Sequence, residues 1–335
     1  MEDNIKRLGQ EVEKAKSILI IQAENPDGDS LGSALALEQI LGELDKKTYL
    51  YCPVDIPRYL RYIDGWDRVT NDFPDKFDMA IIVDAGDESV LGKAVAGANG
   101  AKLSKKPVVI IDHHDEVKGV NFSVIDVTDK TAVSASQVVY ECATQLKWPL
   151  DKVSGTAITA AIMSDSLGLI SRKTSPRTVE IVSKLMENQE VSLADLEDAR
   201  RKLGKKSREI LEYKGKLISR LEYQLDNRLA VITIPYEEIT KYSDQYNPPM
   251  LVMEDLRSTE DVQLAIAFKI YPDRITGKLR AYDQRGEICG KLAAAFGGGG
   301  HPFAAGFKVY RTDYDNLKKE VLKKAQELLT EMNGN

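Results

Sequence analysis

Short, almost wholly apolar runs alternate with helically spaced ones through the first half of the chain. Residues 17–22, 48–52, 79–83, 108–111 and 122–125 are nearly continuous in hydrophobic side chains, the pattern of strands buried on both faces. Helical spacing marks residues 31–44, 132–146, 153–163 and 176–187, the last with Pro176 in its first turn and Ser175 placed to cap it. Strands interleaved with helices predict βαβ units and a parallel α/β sheet. From 192 to 221 the chain becomes charge-rich, which predicts a solvated connecting helix. Beyond it, residues 229–235, 263–271 and 278–282 predict strands of a second, α+β domain, and 313–332 a closing amphipathic helix.

Size and charge narrow the class. A chain of 335 residues exceeds what one core usually supports, so two domains are expected. With 43% hydrophobic and 29% charged residues it is neither disordered nor fibrous. The longest apolar runs fall far short of the ~20 residues of a membrane span, and the N-terminus lacks the apolar centre of a secretory signal, so a cytoplasmic protein with no membrane partner is expected. Cys52, Cys142 and Cys289 lie far apart without a CxxC pair, as reduced thiols do. A net charge of -6 repels nucleic acid overall, so long double-stranded DNA is not an expected partner.

Acidic residues collect at the predicted strand ends. Asp27 and Asp29 follow the first strand in NPDGDSLGS, Asp84 lies in VDAGD, Asp112-His113-His114 ends VVIIDHH, and Asp165 lies in MSDS. Ligands of an open parallel sheet bind beyond the carboxyl ends of its strands. Carboxylates crowded there raise one another's pKa unless cations neutralise them. Oxygen donors with one or two imidazoles and no thiolate suit Mn²⁺ or Mg²⁺, with Co²⁺, Fe²⁺ and Zn²⁺ as alternatives. A pair of ions ~3.5–4 Å apart is the usual device for in-line attack on phosphorus. All three histidines, His113, His114 and His301, stand beside Asp or Gly rather than on an apolar stripe. The four glycines of GGGGHPFAAG are expected to form a loop whose N–H groups approach an anion. Ala304, Ala305 and Gly306 would leave it room, and Lys278, Arg280, Arg285 and Lys291 would be cationic neighbours.

Taken in order, NPDGDSLGS, VDAGD, IDHH, MSDS and GGGGHPFAAG resemble the motifs of the DHH/DHHA1 phosphoesterases, the superfamily of RecJ-type exonucleases and nanoRNase/pAp phosphatases. The likeness spans nearly the whole chain and is closest to the compact nanoRNase type. It implies a parallel-sheet DHH domain over 1–195, a helical connector over 196–221 and a smaller α+β DHHA1 domain over 222–335, with the active site in the cleft between domains. By resemblance Asp27 would bind a first metal and Asp29 a second, Asp84 would bridge them, and His113 and Asp165 would complete the second site. His114, with Asp112, would act on the phosphate, while Arg280, Gly298, Gly299, Gly300 and His301 would hold the substrate's terminal phosphate or base. The implied cofactor is one or two ions of Mn²⁺, Mg²⁺ or Co²⁺. The implied reaction is attack of a metal-bound hydroxide in line on phosphorus, in short oligoribonucleotides, linear dinucleotides such as pApA or pGpG, and pAp. A homodimer is also implied.

One position departs from the family pattern. Its first motif begins with a histidine that binds the first metal, and here Ala23 stands there, whose methyl cannot donate. Alternation along an extended segment sends Gln22 and Glu24 to the opposite side. Three readings stand, foremost a working phosphoesterase with a weakened first metal position. The others are a nucleotide-binding protein without turnover and a scaffold for a partner.

Overall fold

The computed structural model describes residues 1–114, 119–122, 124–243, 245–281, 288–301 and 303–333, without the side chains at 89, 301 and 333. The chain forms two compact units, Met1–Lys205 and Lys206–Asn335. In the first, α1 (Glu2–Lys14), β1 (Ser17–Ile21), α2 (Gly28–Glu43), β2 (Lys47–Tyr51), β3 (Met79–Val83), α3 (Glu88–Leu91), α4 (Gly97–Leu103), β4 (Val108–Asp112) and β5 (Ile125–Thr128) are followed by four helices. These are α5 (Ala135–Leu146), α6 (Lys152–Asp165), α7 (Pro176–Asn188) and α8 (Leu193–Leu203).

The five strands form one all-parallel sheet in the order β2-β1-β3-β4-β5. Alternate residues serve two cores. Ile18, Ile20, Ile81, Val83, Val109 and Ile111 pack with Leu31, Leu35, Val138 and Ile158 from the helices of one face. Leu19, Ile21, Ile82 and Ile110 pack on the other with Leu91, Ala94 and Leu103. This two-sided burial is why β1, β3 and β4 read as unbroken apolar runs. The last strand lies three residues later than expected: β5 is a sheet edge whose residues alternate between buried and exposed, so an apolar run does not mark it. The charge-rich stretch is two helices rather than one. Ser207 caps a new helix, α9 (Arg208–Ser219), by accepting from the Ile210 N–H, and the division between units falls just before it.

Two caps and two glycines place the start of α2. Asp27 Oδ1 accepts from the N–H groups of Asp29 and Ser30, both at 3.0 Å, and the Ser30 hydroxyl accepts from the Asp27 N–H, a capping box that begins the helix earlier than its periodicity predicts. Gly28 and Gly32 then let α6 come close. A Cβ at Gly28 would lie 2.3 Å from Ser164 Oγ, and one at Gly32 would lie 2.6 Å from the Ala157 carbonyl. The end of α6, with Asp165, thereby reaches the beginning of α2, with Asp29.

The second unit contains α9, β6 (Glu222–Gln224), β7 (Leu229–Ile234), α10 (Tyr236–Tyr242), α11 (Met253–Arg257), β8 (Leu264–Ile270), β9 (Arg274–Ala281), α12 (Ile288–Ala295), β10 (Gly299–His301), β11 (Ala304–Tyr310) and α13 (Tyr314–Asn333). Its mixed sheet runs β10-β11-β9-β8-β7-β6, with β7 and β8 parallel and the other pairs antiparallel. Residues of α12 and α13 cover one face. Those of α9, α10 and α11 cover the β7 and β8 half of the other.

The α2–α6 contact has a direct test. Gly32→Ala forces a methyl against the Ala157 carbonyl and the Ala161 methyl, and overpacking of this kind costs ~1–3 kcal/mol. The expected result is a lower urea midpoint with an unchanged m-value; unaltered stability would contradict the tight approach.

Candidate metal centre

In a sheet ordered β2-β1-β3-β4-β5 the winding reverses between β1 and β3, which opens a crevice at their carboxyl ends. Four donors meet there from four elements: Asp29 at the start of α2, Asp84 after β3, His113 after β4 and Asp165 at the end of α6. The Nε2 atom of His113 lies 3.6 Å from Asp29 Oδ2, 3.4 Å from Asp84 Oδ1 and 3.5 Å from Asp165 Oδ2. Donors that each stand ~2.0–2.2 Å from one ion are separated from each other by about these distances. Asp29, His113 and Asp165 form one group able to hold a metal, and Asp84, His113 and His114 an overlapping one.

Asp29 and Asp84 are held by the backbone around them. The fully buried Asp29 carboxylate accepts from the backbone N–H groups of Ala135 (2.5 Å) and Ser136 (3.0 Å) at the start of α5, and from Ser33 Oγ at 3.2 Å. Asp84 sits in the left-handed region at φ 56°, its N–H donating to the Ile111 carbonyl at 2.9 Å. Non-glycine residues there store about 1–3 kcal/mol of strain, which clusters at functional sites. Asp84 Oδ1 and both ring nitrogens of His113 are buried with no hydrogen-bond partner among the described residues. A buried polar atom left unpaired costs ~1–3 kcal/mol, and a cation bound there would satisfy Asp84 Oδ1 and His113 Nε2. The donor set therefore fits a divalent metal.

The electrostatics agree. Burial pushes the Asp84 carboxyl well above its usual range, and repulsion from Asp29, Asp27, Asp165 and Asp112 adds to it. Asp165 is pushed up to about 9, by burial first and then by Asp29 and Asp27. Burial also raises Asp29 against the pull of His113. The same burial lowers His113, favouring the neutral imidazole that binds metals. Asp112 behaves differently. Burial opposes its ionisation, but the His114 ring and the N–H groups of His113 and His114 outweigh burial and hold it low. Its Oδ1 accepts from His114 Nδ1 and the His113 N–H, each at 2.7 Å. That bond raises His114 and leaves its Nε2 facing away.

Of the residues expected at the metals, Asp29, Asp84, His113 and Asp165 come together, and His114 and Asp112 adjoin them. Asp27 is near enough to raise Asp84 and Asp165, but one of its oxygens caps α2. Sequence reasoning missed the Ser33 hydroxyl, the α5 N–H groups and Lys173, whose charge opposes the rise of Asp165.

In the second unit the expected anion loop is a strand. Gly299–His301 pairs with β11, and a Cβ at Gly298 or Gly300 would lie 2.1 Å from the Gly306 carbonyl or 2.6 Å from that of Ala304. The close approach of two strands accounts for these two glycines. Arg280 on β9 stands opposite Ala304 and Ala265, and Lys278 opposite Gly306 and Ala267, so small residues flank both cations. Burial lowers the pKa of each. Lys291 is exposed on α12; Arg285 and the His301 side chain lie outside the described residues.

Residues 17–164 match the family model described as "DHH family, N-terminal domain", and the first unit is a DHH domain. Among its relatives, the chain is 25% identical to the bifunctional oligoribonuclease and PAP phosphatase NrnA of Thermus thermophilus, over 97% of this chain and 94% of that one. It is 22% identical to the NrnA of Bacillus subtilis, over 89% and 90%. The fold is that of a solved exopolyphosphatase-related protein from Bacteroides fragilis, with a TM-score of 0.85, 22% identity and coverage of 98% and 96%. Among the described residues no helix is long and apolar enough to cross a membrane.

The raised carboxyls give a signed pH dependence. Asp29, Asp84 and Asp165 hold protons more tightly folded than unfolded, so their stabilisation is complete below their ordinary pKa of 3.8 and is lost as pH rises through the folded values, to about 9 for Asp165. The metal-free midpoint should fall between about pH 7 and pH 9, where His113 no longer titrates, and saturating Mg²⁺ should raise it more at the upper end. A metal-independent midpoint that climbs with pH would contradict the cluster's electrostatics.

Proposed function

We propose that the protein is a divalent-metal-dependent phosphoesterase that hydrolyses short oligoribonucleotides, or linear dinucleotides such as pApA and pGpG, to mononucleotides, and that it also accepts pAp. The observation that carries this reading is the set of three carboxylates within 3.6 Å of His113 Nε2. The names of the relatives support the substrate class. Asp29, Asp84, His113 and Asp165 would hold Mn²⁺, with Mg²⁺ and Co²⁺ as alternatives. Such an ion supplies Lewis acidity toward a phosphoryl oxygen and acidifies water.

The chain's own residues do the rest. Asp112 orients His114 and stabilises its imidazolium, so His114 can donate from Nε2 to a phosphoryl oxygen and offset charge developing there. Arg280, with Gly298, Gly299, Gly300 and His301, would take the substrate's terminal phosphate or base, small residues flanking Arg280 on both neighbouring strands. Ala23 favours a second reading, in which the protein binds nucleotides without turning them over.

Hydrolysis of pApA or a short RNA should require Mn²⁺, and Asp84→Ala should lower kcat/KM by ~10³-fold or more. Tight nucleotide binding with no turnover at any Mn²⁺ or Co²⁺ concentration would favour the second reading. Asp112→Asn should cut kcat and, because Asp112 raises His114, move the alkaline fall of activity to lower pH. An unmoved pH profile would remove His114 from its role.

A further inference from the structure

The two-ion arrangement implied by the family motifs meets a specific obstacle at the end of β1. The Ala23 methyl lies in an apolar cluster with Leu19, Ile21, Tyr51, Ala85 and Leu91. Its own carbonyl accepts from Cys52 Sγ at 3.4 Å. The neighbouring carboxylates are engaged elsewhere. Glu24 turns to a different loop, where its carboxylate accepts from the Lys93 N–H at 2.7 Å and its N–H donates to the Val90 carbonyl at 3.0 Å. Gly92 packs so closely there that a Cβ would lie 2.2 Å from Glu24 Oε1. Gln22, fully buried, follows the alternation of Ile18 and Ile20 onto the face covered by α2, α5 and α6, away from the Ala23 methyl, and its amide oxygen and nitrogen have no hydrogen-bond partner among the described residues. Asp27 has one oxygen committed to two N–H groups of α2.

The other position is better supplied with donors. Asp29, Asp84 and Asp165 each present an oxygen to the same His113 nitrogen, and Asp84 Oδ1 and His113 Nε2 are buried with no hydrogen-bond partner among the described residues. The overlapping group of Asp84, His113 and His114 uses two of the same residues, and His114 Nδ1 is already held by Asp112. A tight catalytic site needs about three protein ligands of its own.

We infer that the chain binds a single divalent ion, among Asp29, Asp84, His113 and Asp165, and that no second ion is held tightly beside Asp27 because position 23 offers a methyl where a donor is required. The inference rests on the metal centre proposed above and differs from it in counting the ions.

Mn²⁺ titrated into the metal-free full chain by calorimetry, with electron paramagnetic resonance on the same samples, decides the count. One tight ion per chain with the hyperfine pattern of isolated Mn²⁺, and any second ion at least ~100-fold weaker, is the expected result. Two ions of similar affinity with an exchange-coupled spectrum would overturn the inference and leave the metal centre standing. No bound ion would overturn both. Ala23→His, checked for native folding by circular dichroism, should acquire a second ion within about tenfold of the first and a coupled spectrum. A folded variant that still binds one ion would overturn the assignment to position 23. The wild-type count stands as a test even if the variant fails to fold.

Discussion

Like charges brought out of water into one crevice dominate this molecule. Asp29, Asp84 and Asp165 all lie within 3.6 Å of one imidazole nitrogen, and burial together with repulsion from neighbouring carboxylates raises all three carboxyls. Nothing in an apolar core favours such an arrangement. It persists because surrounding elements over-determine it: two N–H groups of α5 on Asp29, a left-handed backbone at Asp84, and an α6 end held against α2. A cation turns the same repulsion into attraction, so the feature most costly to the metal-free chain is the one that selects its ligand.

Packing and chemistry meet in the NPDGDSLGS segment. Its glycines admit α6, its first aspartate and its serine form the cap that starts α2, and its second aspartate is one of the clustered carboxylates. Asp27 therefore shows how a residue of the motif can serve the backbone. Beside the cluster, Asp112 accepts from His114 Nδ1 and from backbone N–H groups at the end of β4.

Much of this was legible in the sequence because buried parallel strands leave continuous apolar runs, and because ligands at their carboxyl ends must follow those runs directly. The strands β1, β3 and β4, and the clustered side chains of Asp29, Asp84 and His113, were visible for that reason. Asp165 was only an expectation, since its arrival depends on how tightly two distant helices approach, and that is set by Gly32 against Ala157 and Ala161. The strand β5 misled because an edge strand need not be apolar on both faces. The glycine run reads as a loop because a residue without Cβ serves a close strand pair as readily as an open turn. The α5 N–H groups leave no mark at all, as any residue but proline supplies one.

Residues 17–164 match the DHH family's N-terminal domain, and Ala23 marks where the chain departs from the motifs it resembles. The nest around His113 carries the functional account, and one experiment addresses it directly. Crystals equilibrated with Mn²⁺ should give an anomalous difference peak among Asp29, Asp84, His113 and Asp165. A map without a peak there at saturating Mn²⁺, or with the ion held by other residues, would contradict the account.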